Sequence, residues 1–245
     1  MTYLCRDCWR NAGPAHDCVL ESLRKSKTPE GREELDALRR SAYEHAAGQR
    51  ESATNTEAFH QAQKAGAPYM AVACIREGPK DTLALSDARK FCRDRDSLYL
   101  LLLGPSRVGK TVAATLCAVE FARRWDWNGQ STGSNSEPLR YVDASTISAL
   151  SSFDRESQRL YDSLLAARLL VMEECGNEGT EWGRGRVTDL LLKREAARRR
   201  TVLTGNLRPE AFRKRYGDAV ANRINETGYA PNLWAEKPMT KVRAA

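Results

Sequence analysis

Leu98-Tyr-Leu-Leu-Leu-Leu103 runs straight into Gly104-Pro105-Ser106-Arg107-Val108-Gly109-Lys110-Thr111, and this junction decides the fold. A β-compatible apolar run meets a loop bounded by glycines, and the helix-prone Val112-Ala-Ala-Thr-Leu-Cys-Ala-Val119 follows. The spacing is that of a phosphate-binding loop set between a strand and a helix. In such a loop backbone N–H groups point at the β-phosphate and the helix N-terminus adds positive potential. Read this way, residues Gly104 to Val112 cradle a nucleoside triphosphate. Lys110 reaches the β/γ-phosphates and the Thr111 hydroxyl ligates Mg²⁺.

Outward from the loop, short apolar runs alternate with helical patterns. Ser86-Asp87 is expected to cap a helix through about Arg93 that leads into the first strand. Trp125 to Pro138 is rich in Gly, Ser and Asn and is expected to be a surface loop. Arg140-Tyr-Val-Asp-Ala144 reads as a strand turning into a helix at Ala144-Ser145-Thr146, and Asp154 to Ala167 as a polar helix. Leu169-Leu-Val-Met172 and Thr201-Val-Leu-Thr204 read as further strands. Strands separated by helices imply an α/β fold, a largely parallel sheet covered on both faces.

The run Leu169–Met172 ends in Glu173-Glu174. In a phosphate-loop NTPase, a strand closing on two acids puts one beside Mg²⁺ and the other beside the attacking water. Glu173 takes the metal position and Glu174 the base position. Aspartate is usual at the first; the extra methylene of Glu173 leaves room for weakened hydrolysis or a shifted Mg²⁺ shell.

Composition bounds the class. The chain has 245 residues and a formal net charge of +7, long enough for one full α/β core and a small appendage at about 150 residues per domain. Its longest apolar run, Leu98 to Leu103, falls far short of the roughly 18 apolar residues that suggest a membrane span. No charged-then-apolar leader opens it, so a cytoplasmic protein with no membrane partner is expected. The cysteines number seven, and an odd, scattered set that includes Cys74, Cys92, Cys117 and Cys175 reads as reduced thiols. Charge is concentrated: from Trp182 to Arg223 twelve Lys/Arg face four Asp/Glu, an excess of eight positive charges. Such a basic segment favours a polyanion, nucleic acid being the usual one.

The opening residues carry Cys5-x-x-Cys8 and then His16-x-Cys18. These four can surround one Zn²⁺ tetrahedrally and hold a segment too short for its own core in shape. Thr28-Pro29-Glu30 resembles a helix start, with Thr28 as N-cap and Pro29 in the first turn. Leu35, Leu38, Ala42 and Ala46 extend a thin apolar stripe to about Arg50, a spacer or partner-docking helix. Glu51-Ser-Ala-Thr-Asn-Thr56 reads as a break, and Gly66-Ala67-Pro68 and Gly78-Pro79 as irregular chain. The expected organisation is residues 1–67 as an N-terminal docking region and 68–245 as the ATPase domain.

The order Leu169-Leu-Val-Met-Glu-Glu-Cys-Gly176, Thr180-Glu-Trp182, Val187 to Arg199, Thr201-Val-Leu-Thr-Gly-Asn-Leu207 and Ala221-Asn-Arg-Ile224 resembles the DnaC/IstB family of AAA+ ATPases. The resemblance covers about residues 64 to 235, with Lys64-Ala-Gly-Ala-Pro68 and Leu83-Ala-Leu-Ser-Asp-Ala88 similar to the family's lead-in. It implies an AAA+ fold and ATP hydrolysis, with Asn206 as the sensor that polarises the γ-phosphate and water. It further implies Arg223 as an arginine finger acting in trans, so that a homo-oligomer is the catalytic unit. Ser106-Arg107-Val108 departs from the family's Pro-Gly-Thr, so the central glycine is missing, while the flanking glycines and Lys110 keep nucleotide binding. No second sensor arginine can be assigned beyond guesses at Lys241 and Arg243.

What the resemblance implies about function is a replicative-helicase loader. Its N-terminal region would dock on a hexameric helicase and its body would assemble on single-stranded DNA. Two alternatives stay open at this point: a transposition helper that binds duplex DNA and a transposase, and a nucleotide-dependent adaptor without useful turnover.

Overall fold

The computed structural model describes residues 28–125, 138–151 and 154–236. It divides into two units, residues 1–54 and a larger compact body from Asn55 to Ala245. Helix α1 spans Pro29–Lys64, so Thr28-Pro29 does open a helix. The break expected at 51–56 does not occur. That stretch holds neither Gly nor Pro, and Ala58 and Ala62, both buried, anchor its continuation in the core of the body. The chain then turns at Gly66, where Ala65 accepts a 2.9 Å bond from the Tyr141 amide.

Two short helices, α2 (Tyr69–Glu77) and α3 (Leu83–Arg93), lead to strand β1 (Tyr99–Leu103). The cap of α3 is Thr82, whose side chain accepts from the Leu85 amide at 3.2 Å, rather than Ser86-Asp87. Helix α4 (Lys110–Arg124) follows the loop after β1. Then come β2 (Leu139–Asp143), α5 (Ala144–Ala149), α6 (Arg155–Ala166) and β3 (Leu169–Cys175). The chain continues through α7 (Glu181–Ala196), β4 (Arg200–Gly205), α8 (Pro209–Tyr216), α9 (Asp218–Thr227) and β5 (Gly228–Tyr229). A turn of 3₁₀-helix closes the described chain at Leu233–Ala235.

The five strands pair in parallel in the order β2-β3-β4-β1-β5. Every residue of β1 is buried, as a central strand covered on both faces must be. Alternation sorts its side chains: Leu100 and Leu102 join one core with α3 and α4, whereas Tyr99, Leu101 and Leu103 join the other with α7, α8 and α9. The first core is built on small residues. Ala84 and Ala88 of α3 and Ala113, Ala114 and Ala118 of α4 are completely buried, which lets the loop-bearing helix lie close against its neighbour. Asp143 and Asp154 cap α5 and α6 by accepting from the Ser145 amide at 2.8 Å and the Ser157 amide at 2.8 Å.

Candidate functional site

The phosphate loop takes its shape from two residues with positive φ. Gly109, at φ 86°, starts α4 and accepts the helix's first bond from the Ala113 amide. Arg107, at φ 67°, stands where the missing glycine would be and adopts the left-handed backbone a glycine adopts freely. Val108 anchors the loop in the core, while Ser106 and Arg107 are exposed and Pro105 half-buried. Gly104 is fixed by close approach: a Cβ there would lie 2.6 Å from Leu233 Cβ. Its N–H bonds the Gly205 carbonyl at the end of β4, and Val112 packs on the core beyond.

Lys110 Nζ donates to the Gly104 carbonyl at 2.9 Å, the Pro105 carbonyl at 2.7 Å and Asn206 Oδ1 at 2.9 Å. The loop lysine and the residue proposed as sensor therefore meet at the C-terminal edge of the sheet. Partial burial lowers the Lys110 pKa, and the charges of Glu174 and then Glu173 oppose the shift. Both carboxylates act on the same ammonium although consecutive strand residues point to opposite faces. The reason lies in β3, whose register against β4 shifts between Met172 and Cys175, with Glu174 at φ 56°. Such a bulge re-aims a side chain at a strand end, and alternation alone does not foresee it.

Glu173 is half-buried beside the Thr111 and Tyr141 hydroxyls; burial raises its pKa, and those two hydroxyls pull against the rise. Its Oε1 is buried without a hydrogen-bond partner. A buried carboxylate oxygen short of a donor, next to a threonine hydroxyl at a helix start, fits a hard oxygen-preferring cation such as Mg²⁺. Glu173 and Thr111 would hold it, and the cation would neutralise charge on the phosphates. Glu174 is exposed, and its Oε2 accepts from Asn177 Nδ2 at 2.9 Å.

Arg223 lies elsewhere. It pairs with Glu195, and its carbonyl accepts from the Thr227 hydroxyl one turn on. The Thr227 carbonyl in turn accepts from the Leu98 amide, at the start of β1. Lys110, Asn206, Glu173 and Glu174 are thus gathered at one end of the sheet and Arg223 is at the other. Cys5, Cys8, His16 and Cys18, and Lys241 and Arg243, lie outside the described residues. Among the described residues, no group of three or more His, Cys, Asp and Glu is arranged to hold a metal ion. Cys74, Cys92, Cys117 and Cys175 are free thiols.

Many cations of the basic segment already have partners within the chain. Arg194 is wholly buried. Arg200 turns inward to the Ser97, Phe91 and Asp94 carbonyls. Arg184, Lys193, Arg213, Arg215 and Arg223 pair with Glu181, Asp189, Asp218, Glu178 and Glu195. Arg186 stacks 4.0 Å from the Tyr161 ring centroid and 5.2 Å from that of Trp182. Of the twelve cations, seven thus have an acid or a backbone carbonyl as partner, two of them within α7 itself. Arg198 stays exposed.

Sheet order, the phosphate loop between β1 and α4, and acids closing β3 give the body a P-loop NTPase fold. A crystal structure of the DnaC helicase loader is 20% identical over 60% of this chain and 89% of that one, with a TM-score of 0.45. The crystal structure of DnaI is 18% identical over 61% of this chain and 82% of that one, with a TM-score of 0.46. AMPPCP-bound DnaA from Aquifex aeolicus is 15% identical over 60% of this chain but 45% of that one, with a TM-score of 0.46. No family model and no curated protein sequence matches the chain. No helix among the described residues is long and apolar enough to cross a membrane.

Proposed function

We propose that the protein is an ATPase of DNA replication that loads a hexameric helicase onto single-stranded DNA, acting as a homo-oligomer. The observation that carries the ATPase reading is the junction of Lys110 with Asn206 beside two carboxylates. Lys110 now bonds the loop's own carbonyls; a bound triphosphate would offer it charged oxygens instead, and charge-assisted bonds are roughly twice as strong. Asn206 would then be released toward the γ-phosphate and the attacking water. Glu174 would take that water's proton, while Glu173 and Thr111 hold Mg²⁺. Arg223, at the opposite end of the sheet from its own loop, would serve a neighbour's nucleotide. The loader reading rests on the order of sequence motifs. The N-terminal cysteines and histidine, as a Zn²⁺ site, would serve the docking segment.

Calorimetry with ATP and Mg²⁺ tests the site. Lys110→Ala should abolish binding, while Glu174→Gln should bind as wild type and cease turnover. Equal ATP affinity in wild type and Lys110→Ala would remove the phosphate-loop assignment. For the loader reading, a purified hexameric replicative helicase should enter circular single-stranded DNA faster with this protein and ATP than without. No acceleration over the unassisted helicase would sink that reading and leave the ATPase standing.

A further inference from the structure

The loop leaving β3 is tied to the rest of the body by a carboxylate that the chemistry above does not use. Glu178 is 1% exposed, and a carboxylate taken out of water persists where donors replace its hydration. Those donors are specific. Arg215 Nε reaches Oε2 at 2.7 Å, the Tyr216 hydroxyl donates to Oε1, and the Gly176 amide reaches Oε1 at 3.1 Å. The Gly176 amide is shared with the Tyr216 oxygen at 2.9 Å, and Arg215 also donates to the Glu178 carbonyl at 3.2 Å. Burial, followed by the neighbouring Cys175 and Glu178, raises the Tyr216 pKa, so its hydroxyl remains a donor. Arg215 and Tyr216 form the last turn of α8. The knot therefore pins the middle of the β3–α7 loop to that turn.

What the knot pins is the residue beside Asn177. The Asn177 amide donates to the Glu174 carbonyl at 3.0 Å, and its side chain donates to Glu174 Oε2 at 2.9 Å. Glu174 sits in the bulge of β3 at φ 56°, and Gly176 follows the strand at φ 107°. The ladder to β4 is irregular between Met172 and Cys175, and side chains help set the course of the backbone there, the Glu174 amide donating to Thr204 Oγ1 at 3.4 Å. We infer that Glu178, Arg215 and Tyr216 form a positioning latch for Glu174, with Asn177 as the residue that transmits the position to its carboxylate. The inference rests on Glu174 being the general base. α8 passes through Gly217 directly into α9, which bears Arg223. The helix pair that carries the residue proposed to serve a neighbour thus also holds the loop that aims this chain's own base.

The test uses the full chain, with steady-state hydrolysis and ATP affinity measured side by side. Tyr216→Phe keeps the ring packed on Phe212 while removing the hydroxyl, and Asn177→Ala removes the direct contact. Each should lower kcat by about tenfold or more, since small misplacements of a reacting group are costly, and leave ATP affinity within about twofold. Arg213→Ala, which breaks an exposed pair with Asp218 in the same turn, should leave both unchanged. A role confined to packing would instead lower thermal stability and ATP affinity together. Glu178→Gln extends the series; should it fail to fold, Tyr216→Phe and Asn177→Ala still decide. Wild-type kcat in those two beside an inactive Glu174→Gln overturns the latch and spares the base. Full turnover in Glu174→Gln overturns both.

Discussion

Arg107 sits at φ 67° in an exposed loop, a conformation that costs an L-residue roughly 1–2 kcal/mol. Arg107→Gly should therefore stabilise the nucleotide-free protein by about 1 kcal/mol, and Arg107→Val should destabilise it, because β-branching makes left-handed backbone harder still. Urea unfolding checks both signs. Glu173 makes the complementary case. Its folded pKa is raised by burial, so its contribution to stability is fully present below the unfolded value, where the carboxyl is protonated, and is lost as pH rises through the raised folded value. Glu173→Gln should accordingly melt higher at neutral pH, by an amount that shrinks in acid, and should weaken Mg²⁺-dependent nucleotide binding. A variant that melts no higher at pH 7 than at pH 4, relative to wild type, would contradict this. In the sequence, motif spacing singles out Lys110, Thr111 and Glu173, and the family resemblance singles out Asn206; the structure brings Lys110 and Asn206 together at 2.9 Å. The orphaned Oε1 of Glu173 is not legible there, because it depends on what Tyr141 of the next strand leaves uncovered.

At the level of elements, the strands around the loop were readable because each is a short apolar run closed by a turn residue or an acid. Helices α8 and α9 and the two-residue β5 were harder to see. Half of α8 is charged, α9 mixes polar with apolar residues, β5 is only two residues long, and the helices bury a few side chains such as Phe212, Tyr216 and Ile224. A sum of charge over sequence does not show which cations fold inward. Arg194 of α7 is the plainest instance. It donates to Thr201 Oγ1 at 3.0 Å, to the Leu164 and Ala167 carbonyls at 2.5 and 2.9 Å, and to the Arg200 carbonyl at 2.6 Å. It thereby ties α6, α7 and the start of β4 together. Lysine keeps the charge but not the planar fork, so Arg194→Lys should leave carbonyls unmatched and cost about 2 kcal/mol. The unfolding midpoint in urea should fall at an unchanged slope; a midpoint equal to wild type would show that the carbonyls find other donors.

At the scale of the molecule, Lys110 and the arginine proposed as a finger stand apart by the length of β1. Lys110 lies just past its last residue, and Arg223 lies beside its first through Thr227 and Leu98. Five residues at roughly 3.3 Å each make a gap of about 15 Å, too far for Arg223 to reach its own phosphate loop. The Arg223–Glu195 pair does not hold the arginine back. Its partners are 44% and 20% exposed, and such pairs contribute about 1 kcal/mol or less, well below what a triphosphate in a neighbour's site offers. Arg223→Ala should therefore bind ATP normally and hydrolyse it poorly. Mixing it with Lys110→Ala, itself inactive, should restore part of the activity, because some interfaces then join an intact loop to an intact finger. Wild-type turnover per chain should rise with protein concentration, and single-stranded DNA should raise it further by promoting assembly. The DNA effect should fade with added salt as phosphate contacts are screened. Mixtures with no more activity than the sum of the two variants, together with turnover independent of concentration, would place the complete site within one chain and remove Arg223 from it.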